Sequence, residues 1–300
     1  MKQLTFALLV LLAAAPALAA DAIVPFDSGT ISGLGVRNIG SAAMSGRIAS
    51  LDAVNTPDGK LTLYVGAASG GVWKSMDGGT TFDPVFDDQP VQSVGAVEID
   101  RRNPETVWVG TGEAWTRNSV SIGDGVYKTT DGGTTWTNVG LRESERIVDI
   151  RIDPRASDTV YVCVTGGLWS DSLDRGVYKS TDGGRTWHHV LRAPSPSTGC
   201  ASLSMDEKNP DVLFAALWDF RRKGWTFRSG GESPTAPSAS ALMVTRDGGR
   251  TWAEITPERN PGFAKEPYGR IAVNVAPSDS SRVYAFVESA DSALYVSSDG

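Results

Sequence analysis

The sequence Ser75-Met76-Asp77-Gly78-Gly79-Thr80-Thr81-Phe82 is the first copy of an eight-residue phrase that recurs along this 300-residue chain. Three later copies keep the Asp-Gly-Gly core and end on tryptophan, at residues 129–136, 180–187 and 245–252. A fifth copy begins at Ser297 and reaches Asp299-Gly300. Successive aspartates of the phrase are 54, 51, 65 and 52 residues apart. A nearly fixed period of this length predicts a repeat architecture.

Each part of the phrase has a predicted physical role. Two glycines after the aspartate suit a tight hairpin turn, because glycine adopts positive φ at little steric cost. The aspartate carboxylate is placed to accept backbone N–H bonds within that turn. The closing aromatic residue is placed to pack between neighbouring sheets. We therefore predict a structural and not a catalytic role for the five repeated aspartates, Asp77, Asp131, Asp182, Asp247 and Asp299.

The pattern Ser/Thr-x-Asp-x-Gly-x-Thr-Trp resembles the Asp-box of bacterial neuraminidase repeats (BNR repeats). That motif is shared by sialidases, xyloglucanase-type glycoside hydrolases and sortilin-type receptor domains. The stretch from about Arg37 onward resembles the bacterial proteins described as sortilin-like or BNR-repeat glycosyl hydrolases. Since these families share the motif but differ in activity, the resemblance specifies a fold more closely than a function.

Each repeat contains four segments with strand-like composition, as in 94–100, 106–110, 125–129 and 135–139 of the second repeat. Four antiparallel strands per fifty residues predict an all-β fold, a β-propeller of four-stranded blades. We expect blades 1 to 5 over residues 37–300, with the fifth truncated, the ring incomplete and the chain continuing into further blades or domains. The alternative is a closed five-blade ring whose missing outer strand comes from residues 31–39.

The first residues predict export. Met1-Lys2 precedes an apolar run over 6–15 and the small-residue site Ala17-Leu18-Ala19, the pattern of a signal peptide over 1–19, which residues 20–36 follow as an N-terminal segment. We expect a secreted or periplasmic protein without a membrane span. A net charge of −7 argues against nucleic acid or an anionic membrane as partner. The two cysteines, Cys163 and Cys200, either form one disulfide between adjacent repeats or remain buried thiols.

The lengths of the loops, and the tryptophans in them, predict where a ligand binds. If strands are counted outward from the central channel, the Asp-box joins the third to the fourth, and the loops between second and third strands share the opposite face. That link is short in repeat one (68–70) but long in repeats two to four, at 112–124, 166–175 and 218–240. We predict that this face binds glycan or peptide, because the long loops carry exposed tryptophans, Trp115, Trp169, Trp218 and Trp225. The alternative is that the loops are solvated spacers.

Charged and polar residues add to the predicted binding surface. Arg47, Arg146 and Arg270 begin the first strands of repeats one, three and five. They would either bind an anionic ligand at the channel rim or satisfy waters and loop carbonyls. Sialidases bind a carboxylate with three arginines, but their Phe/Tyr-Arg-Ile-Pro signature is absent, the nearest match being residues 36–40. The predicted ligand-binding set is completed by Arg117, Asn118 and Asp174, with Trp115, Trp169 and Trp225.

For hydrolysis of a glycosidic bond, two carboxyl groups must face each other across a cleft. Glu113 and Asp124, both in the loop of repeat two, are the predicted pair, and the alternative is that each caps a turn. No cofactor or metal is predicted, since His188 and His189 are neighbours on a strand and point to opposite sides. We favour a sortilin-like binding propeller, with a polysaccharide-degrading glycoside hydrolase as the alternative.

Overall fold

Twenty β-strands and one turn of 3-10 helix make up the described part of the computed structural model, which comprises residues 47–56, 58–231 and 236–300. The predicted signal peptide (1–19), the N-terminal segment (20–36) and the possible extra strand (31–39) lie outside the described residues. No helix within the described ranges is long and apolar enough to cross a membrane.

The strands form five consecutive sheets, which are the blades. Blade 1 contains β1 (Ile48–Asn55), β2 (Leu61–Ala67), β3 (Val72–Ser75) and β4 (Asp83–Pro84). Blade 2 contains β5 (Val94–Ile99), β6 (Val107–Thr111), β7 (Val126–Thr129) and β8 (Thr137–Asn138). Blade 3 follows the 3-10 turn (Arg142–Ser144) and contains β9 (Ile147–Ile152), β10 (Val160–Val164), β11 (Gly176–Ser180) and β12 (His188–Arg192). Blade 4 contains β13 (Thr198–Met205), β14 (Leu213–Lys223), β15 (Thr226–Ser229), β16 (Ala241–Thr245) and β17 (Ala253–Glu254). Blade 5 contains β18 (Ile271–Ala276), β19 (Asp279–Val287) and β20 (Ala293–Ser297).

The blades are arranged as a propeller, and this confirms the predicted fold. Each sheet is antiparallel with its strands in chain order, as in β1-β2-β3-β4. The first strands of consecutive blades are neighbours, β1 with β5, β5 with β9, β9 with β13, and β13 with β18. The five described blades do not close into a ring, so the alternative prediction of a closed five-blade ring is wrong. The three strands of blade 5 leave apolar side chains such as Phe286 and Leu294 exposed on its outer sheet face.

The Asp-box carboxylates hold the turns between third and fourth strands. Asp131 Oδ1 accepts hydrogen bonds from Thr129 Oγ1 (2.7 Å) and the Thr135 amide (2.9 Å), and its Oδ2 accepts one from Thr135 Oγ1 (2.6 Å). These bonds, led by the one from the Thr135 hydroxyl, lower the pKa of Asp131 to about 2. Gly132 and Gly133 have φ values of 68° and 94°, which explains why glycine follows the aspartate.

The Asp-box tryptophans fasten each blade to the one before it. Trp136 Nε1 donates to the Val85 carbonyl of blade 1 (2.6 Å), and Trp187 Nε1 donates to the Val139 carbonyl of blade 2 (2.8 Å). Phe82, the equivalent residue of blade 1, is 39% exposed, since no blade precedes it among the described residues. Trp252 of blade 4 packs against the apolar cluster that blades 3 and 4 share, but its Nε1 has no hydrogen-bond partner among the described residues. The predicted packing between sheets is therefore present in blades 2 to 4, and the bond to a carbonyl of the preceding blade is present in blades 2 and 3.

Blades 3 and 4 are also linked covalently. Cys163 in β10 and Cys200 in β13 form a disulfide, with 5.3 Å between their Cα atoms. Of the two alternatives that the sequence left open, the structure has the disulfide.

The long loop predicted over 218–240 is partly a β-hairpin. Strand β14 continues to Lys223 and pairs with β15, with Phe220 opposite Ser229. The prediction that Trp218 is exposed is wrong, because it lies within β14 and is 3% exposed. Its indole N–H donates to Ser229 Oγ (2.8 Å), so the hairpin itself covers this ring. We call β14 from Phe220 and β15 together the blade 4 hairpin.

Candidate functional site

The loop of blade 2 (112–124) extends across the end of the channel to blades 4 and 5. Asn118 Nδ2 donates to the Gly224 carbonyl at the tip of the blade 4 hairpin (3.1 Å), and Asn118 Oδ1 accepts from Arg222 Nε (2.7 Å). Trp115 of the same loop contacts Arg270 at the start of blade 5. We call the surface formed by this loop, the blade 3 loop (166–175) and the blade 4 hairpin the mouth.

Arg270 is held between two indole rings at the mouth. Its guanidinium carbon lies 5.3 Å from the centroid of Trp115 and 5.1 Å from that of Trp218, within the range of cation–π attraction. Burial lowers the pKa of Arg270, and the nearby charges of Asp149 and Glu288 oppose that effect. Trp115 remains 48% exposed. Part of the Trp115 ring, held against Arg270, is thus available to a ligand.

A small apolar cluster supports the mouth from below. Val120 of the blade 2 loop packs against Leu168 of the blade 3 loop and against Ala201, Trp218 and Phe220 of blade 4. These contacts join three blades, so they fix the position of the blade 2 loop within the mouth.

Arg175 organises the blade 3 loop, and its role was missed from the sequence. Its guanidinium donates to the carbonyls of Thr165 (3.1 Å) and Ser170 (2.9 Å) and lies over the Phe220 ring at 4.9 Å. Burial lowers the pKa of Arg175 to about 10. A fully buried arginine that bonds carbonyls fixes the loop that carries Trp169 and Asp174.

Glu113, one of the two predicted catalytic carboxylates, is buried in an ion pair with Arg47. Its backbone amide donates to Ser93 Oγ (3.0 Å), which places it over the first strand of blade 2. Glu113 Oε2 has no hydrogen-bond partner among the described residues. The carboxylate therefore faces inward, to the rim of the channel.

Asp124, the other predicted catalytic carboxylate, lies toward the outer strands of blade 2. Its Oδ2 accepts from Tyr127 Oη (2.8 Å) and is 3.8 Å from Arg142 Nη1, and its carbonyl accepts from Asn138 of β8 (3.0 Å). Asp124 and Glu113 share no partner within the described part of the chain. Their joint catalytic role stays a prediction, and the positions of the two carboxylates do not support it.

The three predicted rim arginines have different surroundings. Arg146 is buried, and its Nη1 donates to Glu145 Oε2 (2.9 Å) and the Gly166 carbonyl (3.5 Å). Burial lowers its pKa. Arg47 pairs with Glu113, whereas Arg270 lies between aromatic rings. Two of the three therefore have a carboxylate partner of their own.

The remaining predicted ligand-binding residues are exposed but dispersed. Trp169 is half-exposed on the blade 3 loop, and Trp225, 86% exposed, is the tip of the blade 4 hairpin. Arg117 and Asp174 are exposed on the loops of blades 2 and 3. Of the predicted set, the structure brings Trp115 and Asn118 of blade 2 into contact with blades 4 and 5, and Arg270 of blade 5 into contact with Trp115 and Trp218. Besides Arg175, sequence reasoning missed Arg222, Phe227 and Glu288.

Comparison with known proteins supports the fold and a distant relationship. The model of the family described as "Sortilin, neurotensin receptor 3" matches residues 124–260. A xyloglucanase of Paenibacillus sp is 26% identical over 241 residues, which are 71% of this chain and 21% of that protein. An oligoxyloglucan-reducing end-specific xyloglucanase of Emericella nidulans is 25% identical over 248 residues, 70% of this chain and 28% of that protein.

Solved structures show the same propeller. The GH74 xyloglucanase from Xanthomonas campestris superposes with a TM-score of 0.58 at 18% identity, covering 84% of this chain and 37% of that one. The GH74 enzyme of Niastella koreensis gives a TM-score of 0.53 at 18% identity, with 79% and 34% covered. This chain thus has an Asp-box propeller fold, is similar to the sortilin family model over residues 124–260 and is distantly homologous to xyloglucanases. It spans about a quarter of the length of the curated relatives that it matches.

Proposed function

We propose that this chain is an exported propeller that binds a neutral glycan across the mouth. The observation that carries the proposal is the half-exposed Trp115 ring held against Arg270, at a place where loops of three blades meet. An indole face fixed in this way suits the C–H face of a sugar ring, and neighbouring amide and guanidinium groups suit its hydroxyls.

Two further observations support this reading. The relatives are named as xyloglucanases, and xyloglucan is a neutral polysaccharide. The disulfide between Cys163 and Cys200 is typical of proteins that function in an oxidising compartment, which supports a secreted or periplasmic location. A peptide is the alternative ligand, and titration with both glycans and peptides distinguishes it from a glycan.

Hydrolysis of a polysaccharide is the second candidate function, and the names of the relatives favour it. It would need a pair of carboxyl groups facing one cleft. Glu113 is paired with Arg47 and Asp124 with Tyr127, so these two carboxylates do not form such a pair, and we therefore place binding before hydrolysis.

The test is calorimetric titration of the purified chain with xyloglucan fragments, beside an array of glycans and peptides. We expect xyloglucan fragments to bind, and Trp115→Ala to weaken binding about tenfold, the loss of one aromatic contact. Phe82→Ala, an aromatic truncation on the Asp-box side, is the matched control and should bind normally. Binding of peptides alone, or of nothing, would overturn the proposal.

The same preparation tests hydrolysis. Release of reducing sugar ends from xyloglucan is measured for the wild type, Glu113→Gln and Asp124→Asn. Turnover that disappears in either variant would establish the hydrolase in place of the binder.

A further inference from the structure

A groove of about 780 Å³ lies beside the mouth, between the blade 4 hairpin and blade 5. This volume is within the range of about 300–1,000 Å³ typical of sites for small ligands. The hairpin supplies one wall, with Lys223, Phe227 and Arg228, and blade 5 supplies the other, with Tyr268 and Glu288. The groove exists because β14 continues past the sheet and turns back as β15.

The two walls are joined by a chain of hydrogen bonds. Trp218 Nε1 donates to Ser229 Oγ (2.8 Å), and Ser229 Oγ donates to Glu288 Oε2 (2.6 Å). The same Glu288 oxygen accepts from the Arg270 backbone amide (2.7 Å). One carboxylate of blade 5 is thereby fixed to the hairpin and to the residue that contacts Trp115. The groove therefore shares the blade 4 hairpin with the mouth, and these bonds link its blade 5 wall to Arg270.

Charges in the hairpin wall are largely balanced by the protein itself. Arg221 pairs with Asp171 of the blade 3 loop, and Arg228 Nη2 lies 3.2 Å from Asp219 Oδ1. Lys223 and Glu288 add one charge of each sign at the groove. A wall that offers donors and acceptors without a net charge suits a hydroxyl-rich neutral ligand better than an anion.

Aromatic surface completes the match to a sugar. Phe227 is 37% exposed, and its ring is held from behind by Trp218, with ring centroids 5.7 Å apart, and by Arg222, whose guanidinium carbon is 5.7 Å from the Phe227 centroid. A ring that is held by two neighbours and still partly exposed can stack on a pyranose with little loss of side-chain freedom on binding.

We propose that this groove is a second glycan subsite, which takes the sugar units of a neutral polysaccharide that extend beyond the mouth. The inference rests on the proposed function, and it assigns roles to residues outside the predicted set. Phe227 stacks on a sugar ring, Lys223 donates to a hydroxyl oxygen, and Glu288 accepts from a hydroxyl group. The subsite makes affinity depend on ligand length.

The experiment compares a short with a long xyloglucan fragment by calorimetric titration. The wild type is expected to bind the long fragment about tenfold more tightly, the contribution of one stacked ring with its hydrogen bonds. Phe227→Ala and Lys223→Ala are expected to reduce this length advantage, because they weaken binding of the long fragment more than binding of the short one. Phe82→Ala is the matched control, since Phe82 (39% exposed) and Phe227 (37%) are equally accessible but only Phe227 lies at the groove. Thermal melting confirms that each variant is folded.

The outcomes separate the two proposals. If both fragments bind the wild type and every variant keeps the full length advantage, the groove is not a subsite, and the mouth proposal stands. If the wild type shows no length advantage, the subsite is likewise rejected. If the wild type binds neither fragment, the proposed function fails, and this inference fails with it.

Discussion

The Trp115 ring of blade 2 lies 5.3 Å from the guanidinium carbon of Arg270 in blade 5, although 155 positions separate the two residues in the sequence. The contact exists because the blade 2 loop crosses the channel end instead of projecting into solvent. A ligand at the mouth would therefore touch residues of several blades at once. Loop position, more than loop composition, determines this surface.

The first prediction concerns the anchor of the blade 2 loop. Asn118→Ala removes the bonds to Arg222 Nε and the Gly224 carbonyl. We expect peptides from residues 112–124 to exchange amide hydrogen about tenfold faster, because these bonds oppose local opening. Affinity for xyloglucan fragments should fall in parallel. Ser119→Ala, a change at an exposed neighbour in the same loop, is the control. Equal exchange in both variants would show that Asn118 does not hold the loop.

The second prediction concerns the indole that joins blades 2 and 3. Trp187→Ala removes the bond to the Val139 carbonyl and the edge contact with Trp108 (6.3 Å between centroids). We expect the free energy of unfolding in urea to fall by about 2–4 kcal/mol, as for large aromatic truncations. Trp225→Ala, at the 86% exposed hairpin tip, should change it by less than about 0.5 kcal/mol. Comparable losses in the two variants would contradict the anchoring role.

The repeated phrase allowed the fold to be predicted, since a turn, a carboxylate and an indole act within ten residues of one another. Its period predicted one blade for about every fifty residues. The mouth was harder to predict from the sequence, because the Asn118–Arg222 and Trp115–Arg270 contacts depend on the path that the loops take over this face. The hairpin had one readable signal, Gly224 between strand-forming residues. Nothing in the local sequence indicated that Glu113 would be buried against Arg47.

The third prediction concerns the disulfide between blades 3 and 4. The double variant Cys163→Ala/Cys200→Ala opens a link between residues 37 positions apart. We expect the free energy of unfolding to fall by about 2–4 kcal/mol, since the bond restricts the unfolded chain. A reducing agent should destabilise the wild type by a similar amount and leave the double variant unchanged. A wild type that is indifferent to reduction under unfolding conditions would contradict this prediction.

The fourth prediction follows from the pKa of Asp131, which its turn lowers from an ordinary value of 3.8 to about 2. The folded state prefers the charged carboxylate, so its stabilising effect is complete above about pH 4 and is lost as the pH falls toward 2. Asp131→Asn cannot make these charge-assisted bonds at any pH. We therefore expect the variant to melt several degrees below the wild type at pH 7, with the difference shrinking between pH 4 and 2. Asp88→Asn, at an exposed aspartate outside the Asp-boxes, should melt as the wild type does at pH 7. A difference between Asp131→Asn and wild type that stays constant down to pH 2 would show that the Asp-box stabilises the blade through packing and not through its carboxylate.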